Sequence, residues 1–183
     1  MTTMDKFEIK IVKYFNQIGS KKIDKFLGAV NAVSFLAFFW LALTVIAITS
    51  HPTITKKFGV AVLIVCVLHF GITEAIIKHF LTRFLPKRKR PYIAYPDLIR
   101  AVGKKFSDSS FPSSHMATTV AMLVVIVSFY PSLFILSILM IALMAFSRLH
   151  NGMHYPSDVL VGILLGFGYG WVAMEIVRMV FVK

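Results

Sequence analysis

The chain has 183 residues, of which 57% are hydrophobic; its formal net charge is +12 and its mean hydropathy is +0.77. This composition excludes an ordinary soluble domain, and the length is that of one domain covering residues 1–183. The positive charge favours a membrane bilayer with anionic lipid headgroups, or a phosphate substrate, as partners. We expect no nucleic acid partner for so apolar a chain.

Residues 1–25 predict an interfacial segment rather than a membrane span. Lysines at positions 6, 10 and 13 stand among apolar residues between positions 5 and 18. A short cationic helix with a broad apolar side is typical of helices that lie in the membrane interface. We therefore expect an amphipathic helix that rests on the bilayer surface.

Five apolar runs follow, and the longer ones approach the roughly 20 residues that cross a bilayer. They cover residues 26–49, 58–81, 116–129, 132–147 and 158–181. The predicted fold class is all-α, a polytopic transmembrane bundle of five to six membrane helices with an amphipathic interfacial N-terminal helix. Asn31, a polar residue in the first run, predicts a hydrogen bond between helices.

The second run is unusual because its second half carries ionisable residues. Glu74, Lys78 and His79 lie there, and His69 lies deeper. Ionisable groups at membrane depth are costly and usually face the protein interior or water. Glu74 and Lys78 have the spacing and order of a favourable helix pair. Either this pair is structural or it supports a site, whereas His69 has the character of a core histidine.

Two polar stretches adjoin the later runs. Ser113 and Ser114 precede an apolar run, where the free amides of a helix N-terminus bind anions, and His115 in that first turn could donate to the anion. After residue 147, His154 and Asp158 stand four residues apart. Asp158 could accept a hydrogen bond from one ring nitrogen of His154, which would leave the other nitrogen free as base or nucleophile. A simple polar loop is the alternative.

The alternation of the spans brings these stretches to one face of the membrane. Because successive spans cross in opposite directions, the same face of the membrane should carry these residues: Arg83, Arg90, His115, Arg148, His154 and Asp158. The histidines bring no carboxylate or thiolate cluster, so no metal site and no cofactor are predicted. In the last run, glycines at positions 162, 166 and 170 share one helix face and predict close packing against a neighbouring helix.

Three motifs resemble the signatures of the type 2 phosphatidic acid phosphatase superfamily, whose members are integral membrane lipid phosphatases. They are Arg83-x6-Arg90-Pro91, Phe111-Pro112-Ser113-Ser114-His115 and Ser147-Arg148-x5-His154-x3-Asp158. The chain departs from the family pattern at two positions. Arg83 stands where the family usually has lysine, and Ser114 stands where it usually has glycine. Family members usually have six spans.

The resemblance implies a role for each motif residue. His154 would attack phosphorus and form a phosphohistidine, Asp158 would orient it, and His115 would protonate the leaving oxygen. Arg83, Arg90 and Arg148 would bind the phosphate oxygens, together with the backbone amides of Ser113 and Ser114. Cations near the motifs would bind the lipid headgroup: Lys87, Arg88, Lys104 and Lys105.

The implied function is a metal-independent membrane lipid phosphatase that acts on a phosphate monoester or diphosphate. Candidate substrates are lipid A 1-phosphate, undecaprenyl diphosphate, phosphatidylglycerol phosphate and phosphatidic acid. Most cations lie on the active-site side, which the positive-inside rule would make cytoplasmic. The resemblance instead implies the outer, periplasmic face of the bacterial cytoplasmic membrane, and we adopt that expectation. The alternatives are a non-enzymatic protein that binds anionic lipid and a transporter with Glu74, Lys78 and His79 as a relay.

Overall fold

The computed structural model describes residues 3–50 and 52–181, with side chains except at positions 33–35, 47, 48, 50, 52 and 53. Every regular element in these ranges is helical, which confirms the all-α fold class. The α-helices are α1 (Thr3–Gln17), α2 (Lys21–Val30), α3 (Val33–Ser50), α4 (Pro52–Leu68), α5 (Pro91–Ala94), α6 (Ser114–Phe129), α7 (Phe134–His150) and α8 (Pro156–Phe181). Helix α4 continues as a π-helix over His69–Phe80 and ends in a 3-10 turn, Leu81–Arg83. A second 3-10 turn, Pro131–Leu133, precedes α7.

Three of these helices are long and apolar enough to cross a membrane, namely Ile54–Arg83, Pro131–His150 and Pro156–Phe181. Two shorter apolar stretches, Leu36–Ile46 and Ser114–Phe129, belong to α3 and α6. These five segments coincide with the five apolar runs of the sequence. The protein is therefore a polytopic transmembrane helix bundle.

The first predicted span is shorter than expected because the chain breaks at Asn31. The Asn31 side chain donates from Nδ2 to the Leu27 carbonyl at 2.6 Å. An asparagine side chain that bonds to the preceding turn competes with the helical backbone bonds. Helix α2 accordingly ends at Val30, and the membrane helix α3 begins only at Val33.

Helix α1 is amphipathic, as predicted, and packs against α7 at one end of the bundle. Its apolar residues Ile9 and Val12 are buried, whereas Phe7 and Tyr14 on the other side are exposed. Asn16 fixes the docked position, because its Nδ2 donates to the carbonyl of His150, the last residue of α7, at 2.6 Å. The N-terminal helix thus lies at the end of the bundle where the motif residues meet.

The contact between α6 and α8 is the most extensive among the described helices. It depends on glycine, as predicted. A Cβ atom at Gly166 would lie 2.6 Å from the Ala117 carbonyl oxygen, and one at Gly162 would lie 2.7 Å from that of Ser113. Any larger residue would push the helices apart. The N-termini of α6 and α8 are therefore held together, with the Ser113 N–H donating to the Asp158 carbonyl at 3.1 Å.

The π-helix changes which side chains of the second span face the interior. On an α-helix, Lys78 would lie about 180° around the axis from His69. The wider π-helical turn returns Lys78 to the side of His69, and both residues are buried together with Thr73. Such segments are frequent at functional sites. Here the π-helix directs a lysine toward the cluster of motif residues.

Candidate active site

His154 is the centre of the cluster and is buried in the loop between α7 and α8. Its Nδ1 lies 2.7 Å from the carbonyl oxygen of Ser110. Since a carbonyl oxygen can only accept, Nδ1 must carry the hydrogen. The other nitrogen, Nε2, then carries no hydrogen and presents its lone pair. His154 is held in the tautomer that a nucleophilic imidazole requires.

Two guanidinium groups face this free nitrogen. Nη2 of Arg148 lies 3.1 Å from His154 Nε2, and Nη1 of Arg90 lies 3.3 Å from it. The Nε atoms of both arginines are buried and have no hydrogen-bond partner among the described residues. Buried cationic donors that lack an acceptor are suited to an incoming anion, because its oxygens would satisfy them.

The electrostatic environment keeps His154 neutral. Burial, followed by the positive charges of Arg148, Arg90 and Lys78, holds the pKa of His154 well below its ordinary range. Both effects disfavour a charged imidazolium. A neutral imidazole near physiological pH is the form in which Nε2 can attack an electrophile.

Lys78 joins this cluster through Asp108. Its Nζ lies 2.9 Å from Asp108 Oδ2, while Asp108 Oδ1 accepts from Nη2 of Arg90 at 2.7 Å. Although burial raises the pKa of Asp108, Lys78 and Arg90 together lower it to about 2, so the carboxylate stays ionised. Glu74, the partner predicted from the sequence, lies farther from Lys78 Nζ, at 3.9 Å. Its carboxylate accepts from the Ser114 hydroxyl.

The structure does not bring Arg83 to the cluster. Its side chain is exposed at the end of the second span, and within residues 3–50 and 52–181 it makes no hydrogen bond or ion pair. The lysine that faces Arg90 through Asp108 is Lys78, which precedes Arg83 on the same continuous helix. The π-helical turns explain this difference, because they direct Lys78 inward before the chain reaches the motif position.

His115 is connected to Arg148 through Asn31. Its Nε2 lies 3.1 Å from the Asn31 carbonyl oxygen, and the Asn31 side-chain oxygen accepts from Nη1 of Arg148. Sequence reasoning identified Asn31 as a helix-to-helix hydrogen-bonding residue but not as part of the site. The available signal was an amide in an apolar run directly before the helix break.

Asp158 lies near His154 without bonding to it. Asp158 Oδ2 is 3.7 Å from His154 Nδ1, whereas it accepts the Tyr155 N–H at 2.9 Å. The expected hydrogen bond is instead made to the Ser110 carbonyl. The loop before α6 reaches the ring first, and Asp158 is left as a nearby negative charge.

The backbone amides of Ser113 and Ser114 differ in whether they are available to bind an anion. The Ser113 amide is already used by the Asp158 carbonyl, so it is not free to bind phosphate as the sequence suggested. Ser114 is the first residue of α6, and the Ala117 N–H to Ser113 carbonyl bond, 3.0 Å, begins the helical ladder. The amides from Ser114 to Met116 precede that bond and are the orphan donors of the helix N-terminus.

Of the four predicted headgroup cations, Arg88 has a different role. Its guanidinium bonds to Asp158 and Glu8 inside the bundle, so it is not available to a lipid headgroup. Lys87, Lys104 and Lys105 are exposed. Within the described part of the chain, no group of three or more His, Cys, Asp or Glu side chains could hold a metal ion.

Comparison with known proteins connects this geometry to one family. The family model described as "PAP2 superfamily" matches residues 58–181. A lipid A 4'-phosphatase of Bacteroides thetaiotaomicron is 23% identical over 90% of this chain and 74% of its own length. An undecaprenyl-diphosphatase of Sulfolobus acidocaldarius is 25% identical over 76% of this chain, which spans 64% of that protein.

Two solved structures share the fold. LpxE of Aquifex aeolicus has a TM-score of 0.64 and 20% identity, covering 92% of this chain and 95% of that protein. The first transmembrane PAP2-type phosphatidylglycerolphosphate phosphatase from Bacillus subtilis has a TM-score of 0.69 and 20% identity. That match covers 96% of this chain and 87% of the Bacillus protein. Both likenesses support the helical transmembrane architecture described above.

Proposed function

This chain belongs to the PAP2 superfamily, and we propose that it is a membrane lipid phosphatase that works through a phosphohistidine on His154. The observation that carries the proposal is the unprotonated Nε2 of His154, which lies 3.1 and 3.3 Å from the donors of two buried guanidinium groups. A nucleophile and the cations that bind its target anion therefore meet at one point. Phosphoryl transfer requires positioning and stabilisation of the negative charge on the phosphate oxygens, which this arrangement supplies.

In the first step His154 Nε2 attacks phosphorus. A nitrogen–phosphorus bond forms while the bond from phosphorus to the lipid oxygen breaks. His115, which the charge of the bound anionic substrate keeps protonated, gives its proton to that leaving oxygen. Arg90, Arg148 and Lys78 neutralise the phosphate oxygens. Asp108 holds two of these cations at the distances a phosphate oxygen would take. We therefore infer that substrate oxygens compete with its carboxylate for Lys78 and Arg90.

In the second step water releases the phosphate. Its oxygen attacks phosphorus, the bond to Nε2 breaks, and His115 accepts the water proton, so both groups return to their starting state. A positioned acid–base group of this kind contributes about 10²–10⁴-fold to the rate. Free orthophosphate and the dephosphorylated lipid are the products.

The exposed lysines favour a substrate that carries several negative charges. Lys87, Lys104 and Lys105 lie in the loops on the active-site side and are free to contact a headgroup. The relatives named as a lipid A 4'-phosphatase and an undecaprenyl-diphosphatase act on such lipids by their names. We therefore favour a lipid A phosphate or undecaprenyl diphosphate over phosphatidylglycerol phosphate and phosphatidic acid.

Phosphate release by purified protein in detergent tests this function directly. We expect orthophosphate from lipid A phosphate or undecaprenyl diphosphate at a higher kcat/KM than from phosphatidic acid. The activity should survive EDTA, because no described side chains form a metal site. Vanadate, which mimics the trigonal phosphoryl group, should inhibit it. Release from none of these lipids, or a loss in EDTA that zinc or magnesium restores, would contradict the proposal.

We also propose that the active site faces the outer side of the bacterial cytoplasmic membrane. The positive-inside rule, which counts Lys and Arg in short loops near the ends of spans, favours the opposite orientation. Arg88, Arg90 and Arg148, however, bond to other side chains of the bundle, so their positions have an explanation other than membrane orientation. A Lys104→Cys variant in a Cys66→Ala background should react with an impermeant maleimide in spheroplasts. Labelling only after membrane disruption would contradict this orientation.

A further inference from the structure

Helix α1 reaches the candidate active site through a buried acid, Glu8. Its side chain is only 6% exposed, although α1 lies on the outside of the bundle. Glu8 Oε1 accepts the Ser157 N–H at 3.0 Å. Ser157 lies in the first turn of α8, where amides lack partners within the helix. A carboxylate from one helix thus caps the N-terminus of another, where negative charge is favourable.

Arg88 extends this contact to Asp158. Its Nη2 donates to Glu8 Oε2, and its Nη1 donates to Asp158 Oδ1 at 2.6 Å and to Ser157 Oγ at 2.7 Å. The guanidinium also lies 4.0 Å from the centre of the Tyr155 ring. Contacts on several sides fix a planar guanidinium in one orientation. Glu8 of α1 therefore fixes Arg88, and Arg88 in turn fixes Asp158.

The charges of this group bear on His154. Glu8, Arg88 and Asp158 together carry one net negative charge, and Asp158 Oδ2 lies 3.7 Å from His154 Nδ1. The imidazole ring gains positive charge as Nε2 bonds to phosphorus, and a nearby negative charge stabilises that state. If Glu8 were neutral, the positive charge of Arg88 would balance the negative charge of Asp158. The positively charged imidazole ring would then have no net negative charge beside it.

We propose that Glu8 is a positioning residue for the reaction, acting through Arg88 on Asp158. The inference rests on the proposed phosphatase function and gives the interfacial helix a part in the chemistry. Glu8 does not touch the cluster of Arg90, Arg148 and Lys78 that would bind phosphate. Its effect should accordingly fall on kcat and leave KM nearly unchanged.

The substitution Glu8→Gln tests the inference, because it removes the charge and keeps the shape. We expect kcat to fall about 10-fold, less than the roughly 10²-fold cost of a 1 Å misplacement, because Glu8 acts on His154 only through Arg88 and Asp158. Glu8→Asp should recover part of this loss. The matched control is Glu175→Gln, which disrupts an exposed ion pair with Arg178 on the same helix α8 and should leave kcat unchanged. Thermal unfolding in detergent compares the folded state of each variant.

The pH profile separates positioning from a merely structural role. The acid limb of kcat/KM reports protonation of the free enzyme. The charged or titratable groups around His154 are Arg90, Arg148, Lys78, Asp158 and His115. Removing the negative charge of Glu8 disfavours the imidazolium, so the acid limb should move to lower pH. A loss caused by loosened packing alone would reduce the rate at every pH and leave the limb in place.

Coupling between Glu8 and Arg88 completes the test. In an Arg88→Gln background, Glu8→Gln should cause no further loss of kcat, since the two residues act as one unit. A normal kcat in Glu8→Gln, an unmoved acid limb, or losses that multiply independently would each overturn the inference while wild-type activity stands. Absence of phosphate release by the wild-type protein would instead overturn the proposed function, and the inference with it.

Discussion

The variant His154→Ala is expected to release no measurable phosphate from any lipid that the wild-type protein hydrolyses. The substitution removes the Nε2 that lies between Arg90 and Arg148. The arginines would still bind the phosphate, but no nucleophile would remain to form the covalent intermediate. Loss of a nucleophile costs on the order of 10⁴-fold or more in kcat. A colorimetric assay of orthophosphate in detergent measures this loss.

The matched control is His79→Ala, the same substitution at an exposed histidine of the second span. Among the described residues, the His79 side chain bonds only to the Glu74 carbonyl on its own helix. Its loss should therefore leave turnover near the wild-type rate. Circular dichroism and thermal unfolding in detergent check that both variants fold. Substantial turnover by folded His154→Ala would contradict the mechanism. Inactivity of folded His79→Ala would give this exposed histidine a part in the reaction that its position does not explain, and would also contradict the mechanism.

The variant Lys78→Ala should lose on the order of 10²–10³-fold in kcat/KM, the typical cost of one preorganised donor to the transition state. Lys78 is buried and faces the anion site through Asp108, 2.9 Å from its Nζ. A buried cation that is already fixed in place stabilises charge without having to be ordered first. Without Lys78, the negative charge of Asp108 would be balanced by Arg90 only. Arg90 would then attract the phosphate less strongly.

Arg83→Ala is the matched comparison for Lys78→Ala, since it removes a cation from the end of the same continuous helix. Arg83 is exposed and makes no ion pair in the described ranges, so we expect less than about threefold loss, and a salt-sensitive one. Steady-state kinetics at low and high ionic strength distinguishes the two variants. If Arg83→Ala were inactive and Lys78→Ala had normal activity, the cation that binds phosphate would be Arg83, at the motif position, and not Lys78, which the π-helix directs inward.

Much of the architecture could be predicted because apolar runs near the length of a bilayer leave few alternatives. The glycines of α8 likewise predicted a close contact, and the structure has α6 there. The first span was the exception, since hydropathy does not register the competition between the Asn31 side chain and the helical backbone. Apolar composition predicts that a segment spans a membrane, whereas a local side-chain bond decides where its helix begins.

The site was predictable where neighbouring residues carry the geometry and less so where distant segments do. His154, Arg90 and Arg148 meet, as the alternation of the spans predicted. The positions of Lys78, Asn31 and Glu8 depend on a π-helix, a helix break and the docking of α1. No motif in the sequence relates these three residues to His154. The Ser110 carbonyl bond to His154 was equally beyond sequence reasoning, because backbone carbonyls carry no residue-type signal.

The central claim is that phosphorus becomes bonded to His154 during turnover. Rapid quenching in alkali of wild-type protein mixed with a ³²P-labelled lipid substrate tests it most directly. We predict a labelled protein whose label is stable in alkali, is lost in acid and maps to the peptide containing His154. His115→Ala should both gain and lose the label more slowly than the wild-type protein, because His115 serves both steps, and His154→Ala should have none. Full turnover without any labelled protein, or label at another residue, would contradict the account.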